Sequence, residues 1–247
     1  MSRTALLSPL ETRTRVEEVR IRLIHAVLLG QLRPGDRLTE SHLASELGVS
    51  QATVNQALLD LHAQRIVNKT LNRGTTVSTF AADDVRRLFF VRAILEPAAA
   101  SEAAIAVAQG ADLWRLRKRV EEMKSAAAAR DLGAFCIADY EFHSDLYRLS
   151  GNSFLISASQ AISAAPFAYI LCSEPRPLAT DYSALAREHE QIVEAIVTGP
   201  ECAEQLMREK VGRWFDLSTQ FLKSPSEPVP PTRPEGVELG WRSQVLP

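Results

Sequence analysis

Long hydrophobic runs are missing from this 247-residue sequence. No stretch of about 18 consecutive apolar residues occurs, so no membrane span is expected. The first residues hold no apolar segment followed by a small-residue cleavage site, which argues against secretion and for a cytoplasmic chain. Cysteine is scarce: Cys136, Cys172 and Cys202 are odd in number, far apart and contain no CxxC pair. Free thiols in a reducing compartment are therefore expected rather than a disulfide framework. A dominant charge is also missing, since the formal net charge is −2. That balance conceals an asymmetry. Residues 1–79 carry ten Lys/Arg against seven Asp/Glu, whereas residues 80–223 carry sixteen against twenty. A mildly basic N-terminal part on an acidic body suits a nucleic-acid-binding head. What is present is ordinary for a soluble globular chain, 46% hydrophobic and 23% charged, and the length favours two domains over one core.

The most informative stretch runs from Leu47 to Leu61. Gly48, Val49 and Ser50 form a tight turn, and Val54, Leu58 and Leu61 then recur as the stripe of a short buried helix. Leu43, Ala44 and Leu47 mark a shorter helix before it. Two short helices joined by a Gly-containing turn make a helix-turn-helix, whose second helix enters a DNA major groove. Its outward residues are Gln51, Thr53, Asn55 and Gln56, polar but uncharged.

Taken in order, Val16, Val19, Leu23, Ile24, Val27 and Leu28 predict a helix over Glu11–Leu29, ended by Gly30. Thr39 is the expected N-cap of Glu40–Leu47, and Ser50 that of Gln51–Gln64. Ile66–Thr70 and Thr75–Thr79 are β-branched runs around a turn at Gly74, a two-stranded β wing. Beyond Phe80 six helices are expected: Asp83 to about Gln109, Ala111–Ala129, Asp131–Leu149, Ser153–Ile170 with a kink at Pro166, Tyr182–Thr198, and Pro200 to about Lys223. Short connections make them an antiparallel bundle. The predicted fold is thus mostly α: a winged helix-turn-helix domain over residues 1–79, an all-helical domain over 80–223, and a tail over 224–247. With six prolines, that tail is expected to be extended or disordered.

The spacing of Gly30, Leu32, Pro34-Gly35-Asp36, Leu38, Glu40, Leu43-Ala44, Leu47-Gly48-Val49-Ser50, Val54 and Ala57-Leu58 closely resembles the winged-helix head of the GntR family. The resemblance covers about 70 residues. It implies double-stranded DNA as partner. Family members usually carry Arg at Gln51, Pro at Thr53, Arg at Asn55, Glu at Gln56 and Gly at Arg65. Losing both arginines removes charge-assisted bonds to DNA, and Gln or Asn can instead pair with the N6 and N7 edge of adenine. The expectation is a more A·T-rich half-site or weaker binding. Arg33, Arg37, Lys69 and Arg73 are the phosphate candidates, each alternatively a solvated surface residue.

A second constellation lies in the helical part. Asp139 and His143 are i and i+4 on one helix and fall among Phe135, Phe142 and Leu146. His189 falls among Leu185, Ile192 and Ile196. From spacing alone these are either hydrogen-bonded core groups or a metal or ligand site between facing helices. The run DYEFHSDLYRLSGN, with Arg92 and Glu96 in VRAILEP and with EHEQIVEAIVTG, resembles the all-helical FCD effector domain of FadR-type GntR regulators. That resemblance implies a homodimer in which Asp and three His hold a divalent ion, zinc or nickel, facing a carboxylate effector. Here the third His position is Lys210. Either Asp139, His143 and His189 still hold a metal with Lys210 just outside, or Lys210 replaces the metal and pairs Asp139 or an acidic ligand. The second is preferred, because a protonated Lys repels a dication and is a poor ligand. Arg92 is either a fork for a carboxylate or a structural partner of Glu96. The leading expectation is a ligand-responsive DNA-binding repressor with a small acidic metabolite in the bundle. The alternative is a metal or ligand sensor or carrier with a degenerate DNA head. No nucleophile is paired to a base and no oxyanion element is evident, so an enzyme is not expected.

Overall fold

The computed structural model describes residues 14–70, 74–80, 82–162 and 181–221. The head begins with α1, Arg15–Leu28, which starts later than its apolar spacing suggests because Thr14 caps it by accepting from the Glu17 N–H. Val19, Leu23, Ile24, Val27 and Leu28 are its buried face. The helix-turn-helix follows as α2, Glu40–Leu47, and α3, Gln51–Ala63. Gly48 closes α2 in the left-handed conformation at φ 64°, which turns the chain into α3. Thr39 stands at the start of α2 but makes no side-chain cap bond, unlike Ser50 at the start of α3.

Strands β2, Val67–Thr70, and β3, Gly74–Val77, form the antiparallel wing, with Thr70 opposite Gly74. A third strand joins them. β1, Arg37–Leu38, pairs with β3, giving the order β1-β3-β2 in place of the expected two strands. Two residues are too few to show a period of two, so this strand leaves no pattern in the sequence. Val54, Ala57, Leu58 and Leu61 of α3 pack with α1, Leu38, Val67 and Val77 as the head's core.

The bundle consists of α4 (Ala82–Ala108), α5 (Trp114–Ala129), α6 (Leu132–Leu149), α7 (Ser153–Ala161), α8 (Tyr182–Thr198) and α9 (Pro200–Phe221). Asp131 and Asn152 cap α6 and α7 through bonds to Ala134 N–H and to Phe154 and Leu155 N–H. Asp83, expected as the cap of α4, lies within its first turn and pairs Arg86 and Arg87 instead. The expected kink at Pro166, Cys172, Arg73 and the tail lie outside the described residues. α4 packs most extensively on α9, and α5 on α6 and α8. Phe135, Phe142, Leu146, Leu116, Met123, Ile196 and Met207 fill the interior. No described helix is long and apolar enough to cross a membrane.

The head touches the bundle through α1 and α6. His25 Nε2 lies 3.5 Å from Glu141 Oε1. Arg20 hydrogen-bonds Tyr140, and a Cβ on Gly133 would clash with the Leu29 side chain at 2.5 Å.

Candidate functional site

Two groups of side chains stand out, one on each part of the chain. On the head, the start of α3 is fixed by Ser50, whose Oγ accepts from Thr53 N–H at 3.1 Å and lies 2.8 Å from Thr53 Oγ1. This satisfies one of the unpaired amides of the helix N-terminus. Gln51 and Gln56 are exposed, and Gln56 Nε2 donates to Asp60 Oδ1 at 3.0 Å. Asn55 is half-buried. Its Oδ1 accepts from Lys69 Nζ at 2.8 Å, and the same ammonium donates to Glu40 Oε1 at 3.1 Å. Lys69 is therefore tied to both helices of the motif rather than extended into solvent. Arg33 and Arg37 are exposed, and the Arg37 guanidinium lies over Gly74, where a Cβ would come within 3.4 Å of Nη2. An open groove of about 650 Å³ runs between the wing and the helices, lined by Arg37, Glu40, Gln51, Lys69 and Gly74.

In the bundle, α6 and α8 bring Asp139, His143 and His189 together, all buried. His189 Nε2 lies 3.0 Å and His143 Nε2 3.8 Å from Asp139 Oδ1. His189 Nδ1 lies 2.9 Å from the Leu185 carbonyl, which as acceptor fixes the tautomer and aims Nε2 at the cluster. Arg92 from α4 is equally buried. Its Nε donates to Glu96 Oε1 at 2.6 Å, and its Nη2 lies 3.0 Å from His143 Nε2. Of the two roles open to Arg92 in the sequence, the pairing with Glu96 is made.

The charges follow from these contacts. Burial pushes His143 down to about 4, opposed only in part by Glu96 and Asp139, so its imidazole is neutral near pH 7. Burial acts the same way on His189, but the hydrogen bond and charge of Asp139 outweigh it and raise its pKa. Asp139 is held below the usual carboxylate range: burial opposes ionisation, and His189, His143 and Arg92 overcome it.

The donor set suits a divalent ion. One ligand atom from each of the three residues lies within 4.8 Å of the others. Asp139 Oδ2 is buried with no hydrogen-bond partner among the described residues. Two imidazoles and a carboxylate are ligands for zinc or nickel, and three ligands leave positions open. Lys210 does not pair Asp139, one of the two partners the preferred sequence reading gave it. It lines the same small cavity, but Nζ donates to Gln191 Oε1 at 2.8 Å and lies 3.7 Å from Glu188 Oε1. The partners of Asp139 are histidines, not Lys210. The reason is reach: the Lys210 side chain, 15% exposed, ends at Glu188 and keeps some solvent contact, which costs less than full burial.

Arg92 and His143 line two cavities. One, about 30 Å³, lies among Asp139, His189, Lys210 and Trp214. The other, about 80 Å³, is lined by Glu96, Tyr147 and Ser159 of the bundle and by Arg20 and Gln64 of the head. Glu96 Oε2 and Tyr147 OH are buried there without a hydrogen-bond partner among the described residues. Arg20 and Gln64 lie in no motif and Tyr147 is an unremarked position of the 139–152 run, and only the packing of head on bundle places the three together.

Comparison with known proteins finds two family matches along the chain. Residues 15–77 match the family described as bacterial regulatory proteins, gntR family, and residues 87–213 match the FCD domain. A probable D-xylose utilization operon transcriptional repressor from Paenarthrobacter nicotinovorans is 29% identical over 207 residues, covering 83% of this chain and 89% of the relative. The gluconate operon transcriptional repressor of Bacillus licheniformis is 26% identical, covering 78% of each chain. Among solved structures, a transcriptional regulator GntR from Rhodococcus sp. RHA1 is similar at a TM-score of 0.64 and 25% identity, over 87% of this chain and all of the other. E. coli McbR/YncC superposes at 0.69 with 20% identity, over 85% of this chain and all of the other, a likeness of fold.

Proposed function

This chain belongs to the gntR family of bacterial transcriptional regulators and carries an FCD domain, and on that premise we propose that it is a homodimeric repressor whose bundle binds a small carboxylate at a divalent-metal cluster. One observation carries the proposal. α6 holds Asp139 and His143 inside the bundle, while its neighbouring residues Tyr140 and Glu141 meet Arg20 and His25 of the head. A change at the cluster therefore bears on a helix that also seats α1.

Asp139, His143 and His189 would hold the ion, which when bound supplies positive charge and open positions for a carboxylate. Arg92, fixed by Glu96, adds a buried guanidinium beside His143 that favours an anionic ligand. His143 is neutral near pH 7, and a bound ion would take the ring lone pair that accepts from Arg92 Nη2. Lys210 at the rim adds a second cation on the side of the smaller cavity. The repressor sense rests on the names of the two relatives. A homodimer presents two α3 helices and calls for a roughly two-fold symmetric operator. Allostery requires that the carboxylate bind one arrangement of the heads better than the other.

The test starts from duplexes enriched from random-sequence DNA by the full chain. Their affinity is then measured by fluorescence anisotropy with zinc-loaded protein and a panel of two- to six-carbon carboxylates. Weaker DNA binding with at least one carboxylate is expected. Failure to bind any duplex at low salt would reject the proposal in favour of a sensor with a degenerate head.

A further inference from the structure

The recognition helix has lost the charged residues usual at its reading positions, yet one ammonium is anchored on it. We propose that Lys69 is a specificity-determining positioning residue: it fixes the amide of Asn55 so that the NH₂ donors, turned away from the ammonium, do the reading at that position, and the half-site there carries guanine. The inference rests on the reading of the head as a sequence-specific DNA binder.

The geometry spans three elements. Lys69 on β2 donates 3.1 Å to Glu40 on α2 and 2.8 Å to Asn55 Oδ1 on α3. The orientation of the amide follows from chemistry, since an NH₂ group facing an ammonium sets donor against donor. Glu40 holds the ammonium from the other side as an ion pair. With Oδ1 turned toward Lys69, the two Nδ2 hydrogens of Asn55 point away from it. Asn55 lies one helical turn beyond the exposed Gln51, on the side of α3 that also carries exposed Gln56 and Leu59.

Donor groups read acceptors. In the major groove guanine offers N7 and O6, both acceptors, whereas adenine offers N7 as acceptor and N6–H₂ as donor. Bidentate pairing with adenine needs a lone pair of the Asn oxygen turned to the base; that oxygen keeps a second lone pair, but its bond to Lys69 ties its direction to β2 and sets a positive charge beside it. The positive charge next to Asn55 also favours the guanine edge. The neighbouring polar side chains do not change this. Gln56 Nε2 is engaged with Asp60, and the Thr53 hydroxyl with Ser50, so Asn55 and Gln51 remain to discriminate.

The experiment uses the full chain and random-sequence selection followed by affinity measurement on single-base variants of the enriched duplex. Asn55→Ala identifies the base pair that Asn55 reads, as the one position per half-site whose preference disappears. The native protein is expected to prefer guanine there. Lys69→Met frees the amide to rotate and is expected to shift that position from guanine toward adenine by about tenfold or more in relative affinity, leaving the order at other positions unchanged. Lys69→Arg, which keeps a donor, is expected to retain guanine. A uniform loss across all duplexes with Lys69→Met would make Lys69 a phosphate contact and overturn the proposal. So would adenine at the Asn55 position in the native protein, or an Asn55→Ala variant with unchanged preferences. If the native chain binds no duplex, the DNA reading itself fails and this inference with it.

Discussion

Arg65 occupies the left-handed region at φ 58°, where most L-residues are strained and glycine is not. The related heads usually carry glycine at this place, and the backbone angle gives the reason. Arg65→Gly is expected to stabilise the chain by about 0.5–1 kcal/mol, after the extra entropy of glycine in the unfolded state is set against the relieved strain. A rise of roughly 1–4 °C in thermal midpoint would show it, and an unchanged or lower midpoint would contradict it. The second residue of consequence is Lys210. Its ammonium lines the cavity of the Asp139–His143–His189 cluster while bonded to Gln191 and Glu188. Lys210→His replaces a charged non-ligand by an imidazole able to turn inward. Zinc affinity, read by competition with a chromogenic chelator, is expected to rise roughly tenfold or more; equal or lower affinity would mean that α9 stands too far from the cluster.

At the scale of elements, α3 and α6 carry the account. α3 was legible in the sequence because Val54, Leu58 and Leu61 have the helical period and Ser50 stands before them. All three apolar residues are fully buried, and Ser50 makes the cap bond. Ser50→Ala is expected to cost about 1 kcal/mol, seen as a midpoint lowered by roughly 2–4 °C, with weaker DNA binding from a frayed reading helix. An unaltered midpoint would show that the cap is replaceable by water. α6 was legible for the same reason. Asp139 and His143 share a face at i and i+4, and the structure closes His189 onto them. The contacts between elements were not legible. Strand β1 is too short to show alternation. The Lys69–Asn55 bond joins residues on different elements, and nothing local in either segment encodes it. Lys210 follows the apolar stripe of α9, so its period predicted an inward side chain. The side chain is largely covered and lines the cavity, as that period implies, but the contacts of its amine with Gln191 and Glu188 were not legible.

For the whole molecule, the head and the bundle meet at a seam where charged and polar groups lie beside apolar contacts such as Leu29 against Gly133. Glu141 is held below the usual carboxylate range: burial opposes its ionisation, and His25 and Arg119 outweigh it. Arg20 and Gln64 of the head close a cavity whose other walls include Arg92 and His143. Ion pairs and hydrogen bonds at such a seam can be exchanged for contacts with water, which suits a part that must respond to a ligand. The coupling must also be reciprocal: a ligand that weakens DNA binding is itself bound more weakly in the presence of DNA, by the same factor. The most direct measurement is therefore the affinity of the zinc-loaded full chain for one carboxylate, chosen because its binding is lost in His189→Ala, with and without saturating operator duplex. The account predicts an affinity lower by about fivefold or more when the duplex is present. Equal affinity in the two conditions would contradict it, because the cluster would then be occupied without any consequence for the head.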